Sequence, residues 1–306
     1  MTTVYRNRAL SDPDNKYMFL FANDKSGSVA YQALENADFR IIRPDRYEAF
    51  VEHAVAVVDY DVIRITSLPK IVQRVAHSGA EVVYEFHSSD ERVIERELSE
   101  LNLGQVAKIT APSDFLADVV RSKLPSESKD LVEVLPNLVD AESFALTGSE
   151  APLAFGAEEI PLVWIGRLDK GKNIADFIRV LSLLPATYHG IAILSFEDQP
   201  HRMADLLGLA ASLGVAPRLR ILLNLSQPKI ADIYRQARDR GGFFCSTSLG
   251  ESFGYGVAEA LACGLNSIAF NVGALGELTS DIANYDLVPV GDLHAFAESV
   301  LRRAKS

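Results

Sequence analysis

The sequence predicts an α/β protein of two Rossmann-like domains whose parallel sheets face each other across a cleft. Three observations carry that expectation. Short β-branched and aromatic runs alternate with helix-like stretches over almost the whole chain, the pattern of strands joined by crossover helices. The runs fall into two sets of about six, separated by the small and polar stretch 140–152. Finally, 306 residues, 48% of them apolar, suffice for two domains of about 150 residues, each with a core of its own.

In the first half, strands are expected at residues 17–22, 39–42, 62–66, 81–86, 108–111 and 132–135. In the second half they are expected at 162–165, 191–196, 220–223, 242–245, 267–270 and 286–288. The domains are taken as residues 1–145 and 146–306, with a linker near 141–160. In paired domains of this kind a ligand binds where the carboxyl ends of the strands converge.

Composition narrows the function. Thirty basic against forty-one acidic residues give a net charge of -11, which argues against nucleic-acid binding through an electrostatic footprint. The acidic excess is concentrated in the first half, which a strongly anionic membrane should repel. The two cysteines, Cys245 and Cys263, have no metal-site spacing and read as small buried apolar residues; no bound metal is expected. The first residues lack the apolar core of a secretory signal, and no apolar run approaches the roughly 18 residues of a membrane span. A cytoplasmic, reduced protein is expected.

Two segments of the second half carry chemistry. In Glu251-Ser-Phe-Gly-Tyr-Gly-Val-Ala-Glu259, a loop after a buried strand leads into a helix expected to begin near Gly256 and stop at Gly264. Gly254 and Gly256 would keep the helix mouth open, so that first-turn amides reach an anion such as a diphosphate. Glu251 and Glu259 can each accept two hydroxyl hydrogen bonds, which suits vicinal diols. The plain alternative makes Glu251 a helix-start carboxylate and Glu259 part of a solvated face.

Upstream, Val163-Trp-Ile-Gly-Arg-Leu-Asp-Lys-Gly-Lys-Asn173 places Arg167 and Lys172 between a strand end and a helix start. There they can clamp an anion, or form an ordinary charged turn. In the first half, His87 follows an expected central strand, where cleft residues and structural histidines both occur. Ser26, Gly27 and Ser28 join the first strand to the first helix expected after it, either as a loop for phosphate or acceptor or as a simple turn.

Together these residues resemble the family-four retaining glycosyltransferases of GT-B architecture. The resemblance rests on Gly166-Arg-Leu168 followed by Lys172, then Glu251-x-Phe-Gly with Glu259, Ala262-Cys-Gly264 and Asn271-Val-Gly273, in the family's order. Weaker echoes are His87, Ala111-Pro-Ser-Asp-Phe115 and Pro136-Asn-Leu-Val-Asp140.

The resemblance implies hexosyl transfer with retention from a nucleotide-diphospho-sugar to an acceptor hydroxyl in glycan, glycolipid or metabolite biosynthesis. A UDP-sugar is the foremost donor, with GDP- and ADP-sugars also open; no cofactor is implied. It implies that Arg167 and Lys172 neutralise the diphosphate, that Glu259 holds the ribose and Glu251 the transferred sugar, and that amides from Phe253 to Val257 assist. Ser252 and Tyr255 belong to the same donor segment. His87 and Glu251 are the implied catalytic groups, His87 near the sugar on the acceptor side. Residues around 196–198 and 224–226 are expected to border the base.

Leu138 stands where the family usually has Gly, and the first glycine-rich loop is reduced to Gly27. A nucleotide-sugar epimerase of the same architecture and a catalytically silent nucleotide-sugar-binding partner protein are the alternatives. The acceptor and the oligomeric state are not legible.

Overall fold

The computed structural model describes residues 2–23, 27–148, 156, 158–195, 200–279 and 283–304. The chain divides into two compact units, Met1–Leu138 and Val139–Ser306.

The first unit runs α1 (Thr2–Ser11), β1 (Tyr17–Phe21), β2 (Ala37–Ile41), α2 (Tyr47–Val57), β3 (Val62–Ile65), α3 (Ile71–Val75), β4 (Glu81–Glu85), α4 (Glu91–Glu100), β5 (Lys108–Ala111), α5 (Asp114–Lys123) and β6 (Val132–Val134). All six expected strands form, but in two parallel sheets, β1-β2 and β3-β4-β5-β6. The division follows the side chains. Tyr17, Phe19 and Phe21 alternate onto one face of β1 and build a small aromatic core with Tyr31, Phe39 and Ala9 of α1. The four-stranded sheet has a separate core around Val82, Tyr84, Ile109, Leu116 and Val120. Helix α1 was not anticipated, because Thr2–Ser11 has no apolar stripe and buries only Val4, Asn7 and Ala9.

The second unit runs β7 (Ile160–Arg167), α6 (Ile174–Leu183), β8 (Tyr188–Ser195), α7 (Pro200–Ser212), β9 (Leu219–Leu223), α8 (Gln227–Asp239), β10 (Phe243–Ser246), α9 (Tyr255–Ala262), β11 (Asn266–Phe270), β12 (Tyr285–Val288) and α10 (Leu293–Arg303). Its strands form one parallel sheet in the order β12-β11-β10-β7-β8-β9. Alternate residues feed two cores. Leu162, Trp164, Phe243, Cys245, Ile268 and Phe270 pack with Phe177 of α6 and Phe296 of α10. Val163, Phe244 and Ala269 pack on the other face with Tyr234 of α8 and Val257 of α9. A sheet covered on both faces explains why these strands read as continuous apolar runs. The strand order reverses between β7 and β10, so a crevice opens beyond their carboxyl ends.

Residues 139–148 differ from the loose linker expected from their composition. Phe144 is buried against Tyr234 at 6.2 Å, and the Arg235 guanidinium donates to the carbonyls of Ser143 and Ala145. One aromatic ring and one buried cation thus attach this polar stretch to α8, and residues 139–145 belong to the second unit. Leu138 is not among the residues with positive φ, so the turn tolerates leucine in place of glycine. Cys245 and Cys263 are buried and free, with burial pushing both thiols up. None of the described helices is long and apolar enough to cross a membrane.

Candidate functional site

Both sequence segments meet at the point where the strand order of the second unit reverses. β7 ends at Arg167, and the turn after it is stapled by Asp169. Its Oδ1 accepts from the Lys172 amide at 2.9 Å, and its Oδ2 pairs with Arg167 at 2.9 Å. Asn173 takes left-handed φ to start α6, a conformation asparagine tolerates. The loop after β10 is bonded to this turn: the Leu249 amide donates to the Gly171 carbonyl, and the Thr247 hydroxyl to that of Asn173. The buried Trp164 indole donates in turn to Thr247 Oγ1 at 3.1 Å. The two loops therefore form one rigid rim.

On that rim Lys172 Nζ donates to Glu251 Oε1 at 2.5 Å, and Ser248 Oγ to the same oxygen at 2.8 Å. A small depression beside them is lined by Lys172, Ser248, Glu251, Gly254 and Val257. Helix α9 opens onto it. Gly254 is its N-cap at φ 89°, where an added Cβ would stand 2.3 Å from Leu275 Cδ2. First-turn amides of a helix have no carbonyl a turn earlier to accept them, so this mouth attracts anions. Gly256 lines the same depression and also packs closely on the sheet. Its Cα faces the sheet, where a Cβ would come within 2.8 Å of Ile165 and Phe244, so it permits close helix-to-strand packing. Phe253 and Tyr255 stack edge to face at 5.0 Å around the N-cap, and Ser252 lies in the turn before it. Arg167 stands at 60% exposure, its remaining donors open to an incoming anion.

The motif Asn271-Val-Gly273 holds Glu251 from behind. The Ala274 amide donates to the Glu251 carbonyl at 3.0 Å, and Gly273 has φ 52° with the space of its missing Cβ only 2.1 Å from that oxygen. Gly273→Ala must displace the main chain of Glu251. The expected result is a loss of about 2 kcal/mol or more of stability in denaturant titration, together with impaired ligand binding at Lys172 and Glu251. Unchanged stability and binding would refute this coupling.

Glu259 is not on a solvated face of α9. It is 6% exposed, and its carboxylate has no hydrogen-bond or ion-pair partner among the described residues. Burial, with the neighbouring Asp140 charge, raises its pKa to about 8. Asp140 is itself fixed, accepting from the Glu142 and Ser143 amides and the Ser143 hydroxyl. Glu259 lies outside the lining of the depression that contains Glu251. The described part of the expected base-side turns is limited to Asn224, in left-handed φ, and the residues after it; 196–198 lie outside the described residues.

In the first unit, His87 follows β4 as expected, its side chain 11% exposed. Sequence reasoning missed its partner. Glu85, wholly buried, faces His87 Nε2 at 3.1 Å and accepts from Arg8, Arg64 and Tyr5. Against the cost of burial, the hydrogen bond to His87 and the Arg8 charge bring its pKa down to about 2. Ser26 lies outside the described residues. Gly27 and Ser28 begin a short 3-10 turn packed on α1, where a Gly27 Cβ would be 2.9 Å from Thr2 Oγ1. That pair reads as a packing element against α1. Among the described residues no group of three His, Cys, Asp or Glu side chains is placed to hold a metal ion.

The D-inositol 3-phosphate glycosyltransferase of Xylanimonas cellulosilytica is 27% identical over 206 residues, 62% of this chain and 48% of that protein. The phosphatidyl-myo-inositol mannosyltransferase of Mycolicibacterium smegmatis is 28% identical over 274 residues, 82% of this chain and 64% of that protein. The chain thus spans about half to two thirds of the length of these relatives. Among solved structures, Anabaena HepE in complex with UDP and glucose superposes with a TM-score of 0.78 at 16% identity, covering 98% of this chain and 85% of that one. That likeness shows the fold, which is GT-B. The family described as glycosyl transferases group 1 matches residues 149–305, more than half of the 306 residues and the whole of the Lys172–Glu251 rim. The chain belongs to the group 1 glycosyl transferases.

Proposed function

We propose that this protein is a retaining hexosyltransferase that moves a hexosyl group from a nucleotide-diphospho-sugar, a UDP-sugar foremost, to a hydroxyl of its acceptor. The observation that carries this reading is the Lys172–Glu251 contact at the mouth of α9. It sets a cation for phosphate and a carboxylate for sugar hydroxyls side by side where a helix dipole favours negative charge. An incoming donor divides the pair: its diphosphate draws Lys172 and Arg167, while hydroxyls of the transferred sugar take the place of Lys172 on Glu251. Glu259, buried without a partner among the described residues, is assigned to the ribose diol, and amides between Phe253 and Val257 to phosphate and sugar.

Transfer then needs no protein nucleophile. The bond from the anomeric carbon to phosphate oxygen breaks as the acceptor oxygen bonds to that carbon from the same face, and the acceptor proton passes to the departing phosphate. Arg167, Lys172 and the α9 dipole stabilise the charge that grows on that phosphate. His87 is proposed to meet a substrate hydroxyl. The UDP bound by HepE makes uridine the first base to test, and the relatives' names make inositol phosphates the first acceptors.

Calorimetry with UDP, GDP and ADP, followed by NMR of the product's anomeric configuration, tests the proposal. Arg167→Ala is expected to weaken binding of the preferred nucleotide by about ten- to a hundredfold, as loss of a charge-assisted phosphate contact does. The melting temperature should not move, because the side chain is exposed. Binding of none of the three nucleotides would defeat the donor assignment, and an inverted product would defeat retention.

A further inference from the structure

The first unit contains a charged cluster that the donor site does not use. Glu85 ends β4 with its side chain wholly buried. Its Oε1 accepts from Arg8 Nη1 at 2.7 Å and Arg64 Nη1 at 2.9 Å. Its Oε2 accepts from Arg8 Nη1 at 2.9 Å and from the Tyr5 hydroxyl at 3.1 Å, and it faces His87 Nε2 at 3.1 Å. Tyr5 and Arg8, three residues apart, project from one face of α1. The Tyr5 ring also packs edge-on against the imidazole, with centroids 6.2 Å apart and planes at 72°, which fixes the plane of the ring.

This arrangement settles which histidine nitrogen carries the proton. Two guanidinium groups and a phenol keep the Glu85 carboxylate ionised, and an ionised carboxylate only accepts hydrogen bonds. The nitrogen facing it must donate. In its neutral form His87 therefore carries its hydrogen on Nε2, and its lone pair lies on Nδ1, which has no hydrogen-bond partner among the described residues.

We propose that Glu85, gripped by Tyr5 and Arg8 of α1 and by Arg64 of β3, is a positioning residue that holds neutral His87 as its Nε2–H tautomer and presents Nδ1 as a hydrogen-bond acceptor for a substrate hydroxyl. The inference rests on the reading of His87 as a group that meets substrate. It makes α1, ahead of the first strand, part of the machinery of the first unit. It also sets a specificity: Nδ1 rewards a hydroxyl donor and offers nothing to a substrate deoxygenated at that position.

Nitrogen-15 NMR of protein labelled at its six histidines reads the tautomer directly, with His87→Asn assigning the signal. The Nε2–H pattern is expected, and an Nδ1–H pattern in the wild type would overturn the proposal without any variant. Glu85→Gln supplies the second arm. Because two guanidinium groups donate at the Oε1 position, the amide oxygen must stay there, which turns the amide nitrogen toward His87 and forces it to the Nδ1–H form. The expected result is a flipped tautomer, a kcat lowered about tenfold and an unchanged affinity for UDP. A flipped tautomer with an unaltered kcat would also overturn the proposal. The wild-type tautomer is read on the protein alone, so absence of transfer with every donor counts against the functional reading, whereas an Nδ1–H tautomer counts against the positioning role.

Discussion

Glu251→Ala should slow sugar transfer by about a hundred- to a thousandfold while leaving nucleotide binding intact or tighter. The Glu251 carboxylate accepts from Lys172 Nζ at 2.5 Å. Removing it releases the ammonium group for phosphate, so affinity for UDP alone should hold or rise. The sugar loses its carboxylate, and with it an acceptor placed for the transition state. Loss of one such preorganised polar group lowers kcat by about a hundred- to a thousandfold. Lys172→Ala should do the opposite, lowering UDP affinity about tenfold or more and leaving the Glu251 carboxylate with Ser248 as its one hydrogen-bond partner among the described residues. Calorimetry with UDP beside a transfer assay with the intact donor separates the two. Transfer at the parental rate by Glu251→Ala would sink the assignment of this carboxylate to the sugar.

Glu259→Gln is expected to stabilise the protein at alkaline pH and to weaken donor binding. The folded-state pKa of Glu259 is raised to about 8 from an ordinary value of 4.5. Between those values the native state holds a proton that the unfolded chain has lost, so stability falls as pH rises through this window and the whole penalty is present above it. With each tenfold change in proton affinity worth about 1.4 kcal/mol, a rise from 4.5 to about 8 makes the penalty removed by glutamine on the order of 5 kcal/mol at pH 9. It should vanish at pH 4, where both states are protonated. Melting curves of parent and variant across that range check the sign, and equal stabilities at pH 9 would count against a buried, protonated Glu259. A ribose diol donates hydrogen bonds that favour the carboxylate, so UDP binding at pH 7 should release a proton. Calorimetry in buffers of different ionisation enthalpy detects that proton, and its absence would remove Glu259 from the ribose site.

Much of the fold was legible in the chain itself. The strand segments were anticipated because a strand buried on both faces, such as that containing Leu162, Val163 and Trp164, is apolar without interruption, and its neighbours are set off by polar turns. The positions of Arg167, Lys172 and Glu251 after strand ends could be read for the same kind of reason, whereas the donor roles proposed for them and for Glu259 rest on the family resemblance. Helix α1 was not legible, because its helicity comes from docking Val4, Asn7 and Ala9 and not from an amphipathic stripe. Nor was the attachment of residues 139–148, which depends on Phe144 meeting Tyr234 from about 90 positions away.

By itself, then, the sequence determined the α/β alternation, the order of the strands along the chain and which side chains come after which strand, since local periodicity and spacing encode all three. Only the tertiary structure decided their partners. It placed Lys172 on Glu251, packed Gly256 against Ile165 and Phe244, buried Glu259 beside Asp140, and gathered Tyr5, Arg8 and Arg64 on Glu85. The physical reason is that burial, and with it the strength of every charge, is set by neighbours distant in sequence. A carboxylate reads the same in the chain whether its pKa ends up lowered under two arginines, as that of Glu85 is, or raised by burial beside Asp140, as that of Glu259 is.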